Sequence, residues 1–295
     1  MSVKERPMAT NLKFDVPDHL YPFEHRFADL GNGIEMHYVD EGEGETLLML
    51  HGNPSWSFLY RKMILKLRGN FRCIVPDYPG FGLTETPPGY GFTPGEHSEN
   101  IERFVDKLGL RDMTLIVQDW GGPVGLGLAI RRPELVKRFV IGNTWAWPLV
   151  GQRGFEVFSW LMGGPVGRTM AYLFNGVARF FFMKGFVHRP EKEVLGMYLA
   201  PFRRRADRRQ TSISPRLLIK AADYLSEVEK GLERIGDRPV FLPWGVKDFA
   251  FQEKERQRFE KIFPNHKTLL LEASHFWQED AGEEAADAIR EWMRG

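Results

Sequence analysis

The residues with the clearest chemical potential are Val117-Gln118-Asp119-Trp120-Gly121-Gly122. They follow a continuous apolar run, Met113–Val117, and precede a stretch with helical spacing, Pro123–Ile130. A tight bend from strand to helix forces its central residue into strained backbone and lifts that side chain clear of the sheet, so it needs small neighbours. Gly121, Gly122 and Gly125 supply them. An Asp there is ionised at neutral pH and can attack without a base, whereas a Ser would first have to lose a proton. The same Asp would also serve as a plain helix N-cap. His51-Gly52-Asn53-Pro54 directly follows another apolar run, Thr46–Leu50. A loop at that place can bring the backbone N–H of Asn53 beside that of Trp120, forming an oxyanion hole across from the bend. Asp77-Tyr78-Pro79-Gly80-Phe81-Gly82 is a third turn after Arg72–Val75, and taken alone it indicates only alternating α/β architecture.

The elements around these turns follow from periodicity. Ile34–Val39 alternates like a half-exposed strand, with Gly31-Asn32-Gly33 before it as a hairpin turn. Thr46–Leu50, Arg72–Val75, Met113–Val117 and Arg138–Ile141 are short apolar runs. Phe58–Leu67, His97–Leu108 and Pro123–Ile130 lie between them with helical spacing. Such alternation predicts a parallel sheet covered by helices on both faces. From Trp145 to Phe202 strand alternation stops, and 13 of the 39 aromatic residues fall there. Breaks at Gly163-Gly164-Pro165, Gly176 and Arg189-Pro190 divide it into several helices. Arg238–Leu242 and Lys267–Leu271 resume the strand pattern, and Glu283–Met293 closes with an amphipathic helix. The reading is an α/β core, residues 1–146 and 216–295, interrupted by a helical cap, 147–215. An aromatic-rich insert can roof an apolar cavity. Its wall candidates are Trp145, Trp147, Phe155, Phe158, Trp160, Leu161, Phe180, Leu199 and Phe202, with Phe276 from the core.

The 295 residues carry 40 Lys plus Arg against 39 Asp plus Glu, a net charge of +1. A balanced charge disfavours a nucleic-acid partner or an anionic membrane surface, so neither is expected. The arginines at 203–205, 208 and 209 read as a solvated cap helix or loop diluted by Asp207. One cysteine forms no internal disulfide, and Cys73 within Phe71–Val75 reads as an inert core thiol. Met1–Pro7 is polar without an apolar signal region, and no apolar stretch approaches the ~18 residues of a membrane span. Cytoplasm is the expected compartment.

In their order along the chain these motifs resemble the α/β-hydrolase fold. That resemblance implies a mostly parallel eight-stranded sheet flanked by helices, with the bend after strand five, a cap after strand six, and a late acid and His. Within that fold the chain is similar to haloalkane dehalogenases over nearly everything from Phe23 onward, least so in the cap. The matching residues are His51-Gly52-Asn53-Pro54-Ser55-Trp56, Gln118-Asp119-Trp120-Gly121-Gly122, Trp244-Gly245-Val246-Lys247-Asp248 and Ser274-His275-Phe276. The resemblance implies Asp119 as nucleophile, His275 as base and Asp248 as the acid orienting it. It also implies Trp120 and Asn53 as the halide-binding pair. Some relatives instead place a Glu after strand six, where this chain reads Gly142-Asn143-Thr144-Trp145 and has no acid. The implied reaction is hydrolysis of small haloalkanes to alcohol, halide and proton through an alkyl ester on Asp119, with haloalkane, water and halide as the only partners.

No metal and no cofactor are expected. The remaining histidines lack ligand spacing, and neither G-x-G-x-x-G after a strand nor G-x-x-x-x-G-K-[ST] occurs. Asp nucleophiles also fit epoxide hydrolases, which need two cap tyrosines as proton donors; Tyr172 and Tyr198 are the candidates. A coelenterazine-type luciferase and a non-catalytic ligand-binding protein of this fold remain open alternatives.

Overall fold

A computed structural model describes residues 12–295, so Met1–Pro7 lies outside the described residues. Eight strands form one sheet: β1 (Arg26–Asp29), β2 (Glu35–Glu41), β3 (Glu45–Leu50), β4 (Phe71–Pro76), β5 (Met113–Asp119), β6 (Val136–Thr144), β7 (Val240–Gly245) and β8 (His266–Leu271). Their spatial order is β1-β2-β4-β3-β5-β6-β7-β8. β1 and β2 pair antiparallel across the Gly31-Asn32-Gly33 turn, β2 is antiparallel to β4, and every later pair is parallel. β3 and β5 lose all their interior side chains from solvent, which is why they read as continuous apolar runs.

The helices are α1 (Arg61–Leu67), α2 (Pro94–Leu108), α3 (Gly121–Arg131), α4 (Arg153–Gly163), α5 (Pro165–Phe174), α6 (Gly176–Lys184), α7 (Lys192–Leu199), α8 (Arg209–Lys220), α9 (Ala222–Gly231), α10 (Glu253–Ile262), α11 (Trp277–Asp280) and α12 (Gly282–Arg294). α2 starts where Thr93 and Glu96 exchange capping hydrogen bonds around Pro94, and ends at Gly109 in the left-handed region. Six helices, α4 to α9, separate β6 from β7. Gly164 separates α4 from α5 as expected, whereas the break expected at Gly176 falls one residue earlier, at Asn175 in the left-handed region, and Gly176 opens α6. Among the described residues no helix is long and apolar enough to cross a membrane.

Strand order decides where chemistry can happen. After β3 the chain moves outward to β4, then returns past β3 to β5 and proceeds the other way. A crevice opens beyond the carboxyl ends of strands at such a reversal. β3 and β5 are hydrogen-bonded neighbours, with Leu50 opposite Val117. Their C-terminal loops, His51–Pro54 and Asp119–Trp120, must therefore meet.

α3 lies tightly on β3 because Gly121 has no side chain: a Cβ there would collide with the Leu50 carbonyl oxygen, a backbone atom that cannot step aside. We predict that Gly121→Ala costs about 2 kcal/mol of stability through overpacking. Thermal unfolding should show a melting point lower by roughly 4–8 °C; an unchanged melting point would refute the close contact.

Candidate active site

Asp119 is the last residue of β5 and sits at φ 48°, in the left-handed region that non-glycine residues avoid. Its side chain is buried. The Asn53 N–H donates to Asp119 Oδ1 at 2.7 Å, and the backbone N–H of Trp120 also donates to this carboxylate. A Cβ on Gly52 would overlap the carboxyl group itself, so the loop after β3 closes on Asp119 only because that residue is glycine. The Thr144 hydroxyl donates to the Asp119 carbonyl at 2.5 Å and pins the bend from the β6 side. Burial pushes the Asp119 carboxyl above the ordinary carboxylate range, while His275 and the two backbone donors pull the other way.

His275 follows β8 and is fully buried. Its Nε2 stands 3.7 Å from Asp119 Oδ2, and its Nδ1 donates to Asp248 Oδ2 at 3.0 Å. Asp248 follows β7, and its Oδ1 accepts from the Ala250 N–H at 2.7 Å. Burial alone would lower the His275 pKa, but the Asp248 and Asp119 carboxylates more than compensate and raise it above the usual value. Asp119, His275 and Asp248, distant in sequence, thus form one file of contacts.

Two residues in this file escaped the sequence reading. Asn143 bulges from β6, where the register slips between Gln118 and Asp119, and it adopts φ 39°. Its amide donates to Asp248 Oδ2 at 3.0 Å and to the Gly245 carbonyl at 3.0 Å, while its carbonyl accepts from the Gly245 N–H. An amide at the strand-six position holds the acid in place. Gln118, inside an otherwise apolar strand, donates to the His275 carbonyl at 3.0 Å and lies 3.2 Å from His275 Nε2. Its polarity beside Asp119 was the available signal.

A cavity of about 460 Å³ opens beside Asp119, with Asn53 and Trp120 also on its wall. Phe155, Phe158, Phe181, Leu218 and Phe249 supply apolar lining, and Arg153, Gln252 and Lys254 are exposed residues at its rim. Among the described residues neither the Asn53 amide nitrogen nor the Trp120 indole N–H has a protein acceptor, and Asn53 Oδ1 is buried without a partner. Both side chains therefore keep a neutral donor for something else.

Of the wall candidates, Phe155 and Phe158 line this cavity, whereas Trp145, Trp160, Phe180, Leu199 and Phe276 do not. Trp145 lies one layer behind, stacked on Phe251 with its edge to Trp120. Phe180 backs Phe158 and Phe181, and Phe276 packs among Phe182, Phe186 and Tyr198. Leu199, at the end of α7, only packs partly buried against the core. Trp160 is 75% exposed on the outside of α4. Helical spacing alone does not say which face of α4 turns inward. Phe181 and Phe249 do line the cavity and flank His275 at 5.6 and 5.7 Å between ring centres.

A buried acid at the end of β5 facing a cavity, a donor pair from the loops after β3 and β5, and a late acid–His couple at a strand-order reversal define a class. The chain belongs to the alpha/beta hydrolase fold family, whose model matches residues 45–281. Within that family it falls with the haloalkane dehalogenases. It is 40% identical over 284 residues to Haloalkane dehalogenase 2 of Mycobacterium tuberculosis, covering 95% of this chain and 99% of that one. It is also 32% identical over 287 residues to the cis-3-alkyl-4-alkyloxetan-2-one decarboxylase of Shewanella oneidensis, covering 94% of this chain and 90% of that protein. The fold matches the crystal structure of haloalkane dehalogenase DbeA from Bradyrhizobium elkani, with a TM-score of 0.84 over 92% of this chain and 98% of the other at 23% identity.

The geometry predicts how the imidazole titrates. In histidine-labelled protein followed by NMR, His275 should titrate above 6.5, its ordinary value. Asp248→Asn removes the main opposing charge and leaves burial in control, so the titration should move down. A midpoint unchanged by that substitution would overturn the assignment of Asp248 as the partner.

Proposed function

We infer that the protein hydrolyses carbon–halogen bonds of small haloalkanes, consuming water and releasing an alcohol, a halide ion and a proton. One observation carries the reading: a carboxylate at a strained bend shares an apolar cavity with two neutral donors that have no protein acceptor. Relatives named haloalkane dehalogenase, one of them 40% identical across 95% of the chain, support it.

In this mechanism Asp119 displaces halide from saturated carbon and becomes an alkyl ester. The departing anion forms in a poorly solvated pocket, where an unpaired charge is very costly. The Trp120 indole and the Asn53 amide meet it without adding negative charge. By analogy with oxyanion-hole donors, each supplies about 3 kcal/mol. Water then attacks the ester carbonyl. His275 takes its proton, Asp248 stabilises the imidazolium, and the backbone N–H groups of Asn53 and Trp120 hold the oxyanion. We read residues 147–215 as the cap and residues 1–146 with 216–295 as the core. The Cys73 thiol, pushed up to about 12 by burial, stays inert, in keeping with a reducing cytoplasm.

The epoxide alternative loses its proton donors. Tyr198 is buried and donates to Glu279 Oε2 at 2.5 Å, Tyr172 is exposed, and neither lines the cavity.

Bromide release from 1-bromobutane, run beside styrene oxide and a cis-dialkyl oxetan-2-one, tests the reaction. Bromide should appear; turnover of the epoxide or the lactone without it would overturn the reading. His275→Phe should release about one equivalent of bromide and stop with Asp119 alkylated; repeated turnover would refute the ester intermediate. Trp120→Phe keeps the ring but removes the N–H, and should slow bromide release by roughly 100-fold. An unaltered rate would remove the indole from the halide site.

A further inference from the structure

The outer face of α4 and α5 is apolar. On α4, Val157, Trp160 and Leu161 are exposed at spacings of three and four, hence on one side of the helix. On α5, Val166, Met170 and Phe174 repeat every four residues and are exposed too. Val166 is 77% exposed. The helices are joined at Gly164 and pack together, with Gly167 so close that a Cβ would strike Leu161 and Met162 backbone. Single exposed apolar residues are ordinary, but two aligned stripes on packed helices are not.

The same region is strongly basic. Residues 147–215 hold 11 Lys and Arg against four Asp and Glu, a balance of +7 that leaves the rest of the chain at −6. Arg153, Arg168, Arg179 and Lys184 lie on or beside the apolar helices, and the only acid among residues 153–184 is Glu156, which accepts from the Gly151 N–H. The arginine-rich turn at 203–209 is fastened to α5, since Arg208 donates to the Tyr172 and Leu173 carbonyls, and Arg203, Arg205 and Arg209 are exposed there.

We propose that this face docks on an anionic lipid bilayer surface. Apolar side chains including Trp and Phe, rimmed by Arg and Lys, suit the headgroup boundary, where the rings enter and the cations meet lipid phosphates. A second copy is a poor occupant, because a two-fold contact would lay one basic face against another. The inner side of α4 carries Phe155 and Phe158 of the active-site cavity. Docking through its outer side therefore places the cavity beside the lipid, from which an apolar substrate could be drawn; this last clause rests on the function proposed above.

The full chain should be co-sedimented with vesicles of phosphatidylcholine alone and of phosphatidylcholine mixed with phosphatidylglycerol. Partitioning should be at least about tenfold stronger on the anionic vesicles and fall with added salt. The double variant Trp160→Ser/Val166→Ser should lose about tenfold of it, and so should Arg168→Glu/Arg205→Glu, while bromide release from dissolved 1-bromobutane persists. No partitioning, equal partitioning on both vesicles, or partitioning unaffected by either variant overturns the proposal. So does a dimer in sedimentation equilibrium that Trp160→Ser abolishes. Vesicle binding without bromide release would instead leave the docking surface standing and remove the reaction.

Discussion

A buried carboxylate held by backbone N–H groups is the constraint on which the rest depends. Taking Asp119 out of water disfavours its charge, and two amide donors restore part of what solvent would have given. Those donors come from different strands, so the carboxylate is also a clasp between the loops after β3 and β5. The clasp closes only if the backbones approach closely, which explains Gly52 against the carboxyl group and Gly121 against the Leu50 carbonyl. The strained backbone at Asp119 is stabilised in turn by Thr144 on the neighbouring strand.

The other half of the site is built by restraint. His275 has carboxylates on both nitrogens' sides at unequal distances, 3.0 Å to Asp248 and 3.7 Å to Asp119. The short contact favours the neutral tautomer with the proton on Nδ1, which leaves the Nε2 lone pair to the Gln118 amide 3.2 Å away. Asn143 then fixes Asp248. A second buried network joins the helices after β6 to the core. Arg61 grips Glu279 through both guanidinium arms, and Tyr198 of α7 donates to the same carboxylate. Burial alone would raise the Glu279 pKa, but Arg61, Tyr198 and Lys62 together hold it below the usual range. A pair of this kind is costly to break, because either partner left alone would be an unpaired buried charge. It ties α7 to α1 and α11 on the core, and the Trp56 indole adds a bond to the Met197 carbonyl.

Net charge averages over a molecule whose parts differ. The whole chain is balanced, yet residues 147–215 carry an excess of seven cations, offset by a net −6 elsewhere, and an apolar outer face. Trp160 shows the same effect for a single residue. As an aromatic in an aromatic-rich insert it reads as cavity wall, and in the fold it is the most exposed aromatic side chain of α4.

What the sequence determined by itself was local. Apolar runs became β3 to β8 within a few residues of their expected bounds; for β3 to β7 the reason is burial on both faces, which demands apolar residues throughout, whereas β8 is a largely exposed edge strand. The glycine-flanked Asp119 gave away the bend, since few other patterns tolerate such backbone. β1 and the bulge at Asn143 were not legible: β1 is four residues long, and the bulge exists only because β6 slips against β5. Tertiary structure alone decided which aromatic faces point inward, which amide restrains Asp248, and that Asn53 and Trp120 share a cavity with Asp119. These are matters of direction between elements far apart in the chain, and residue type carries no information about direction until the elements have packed.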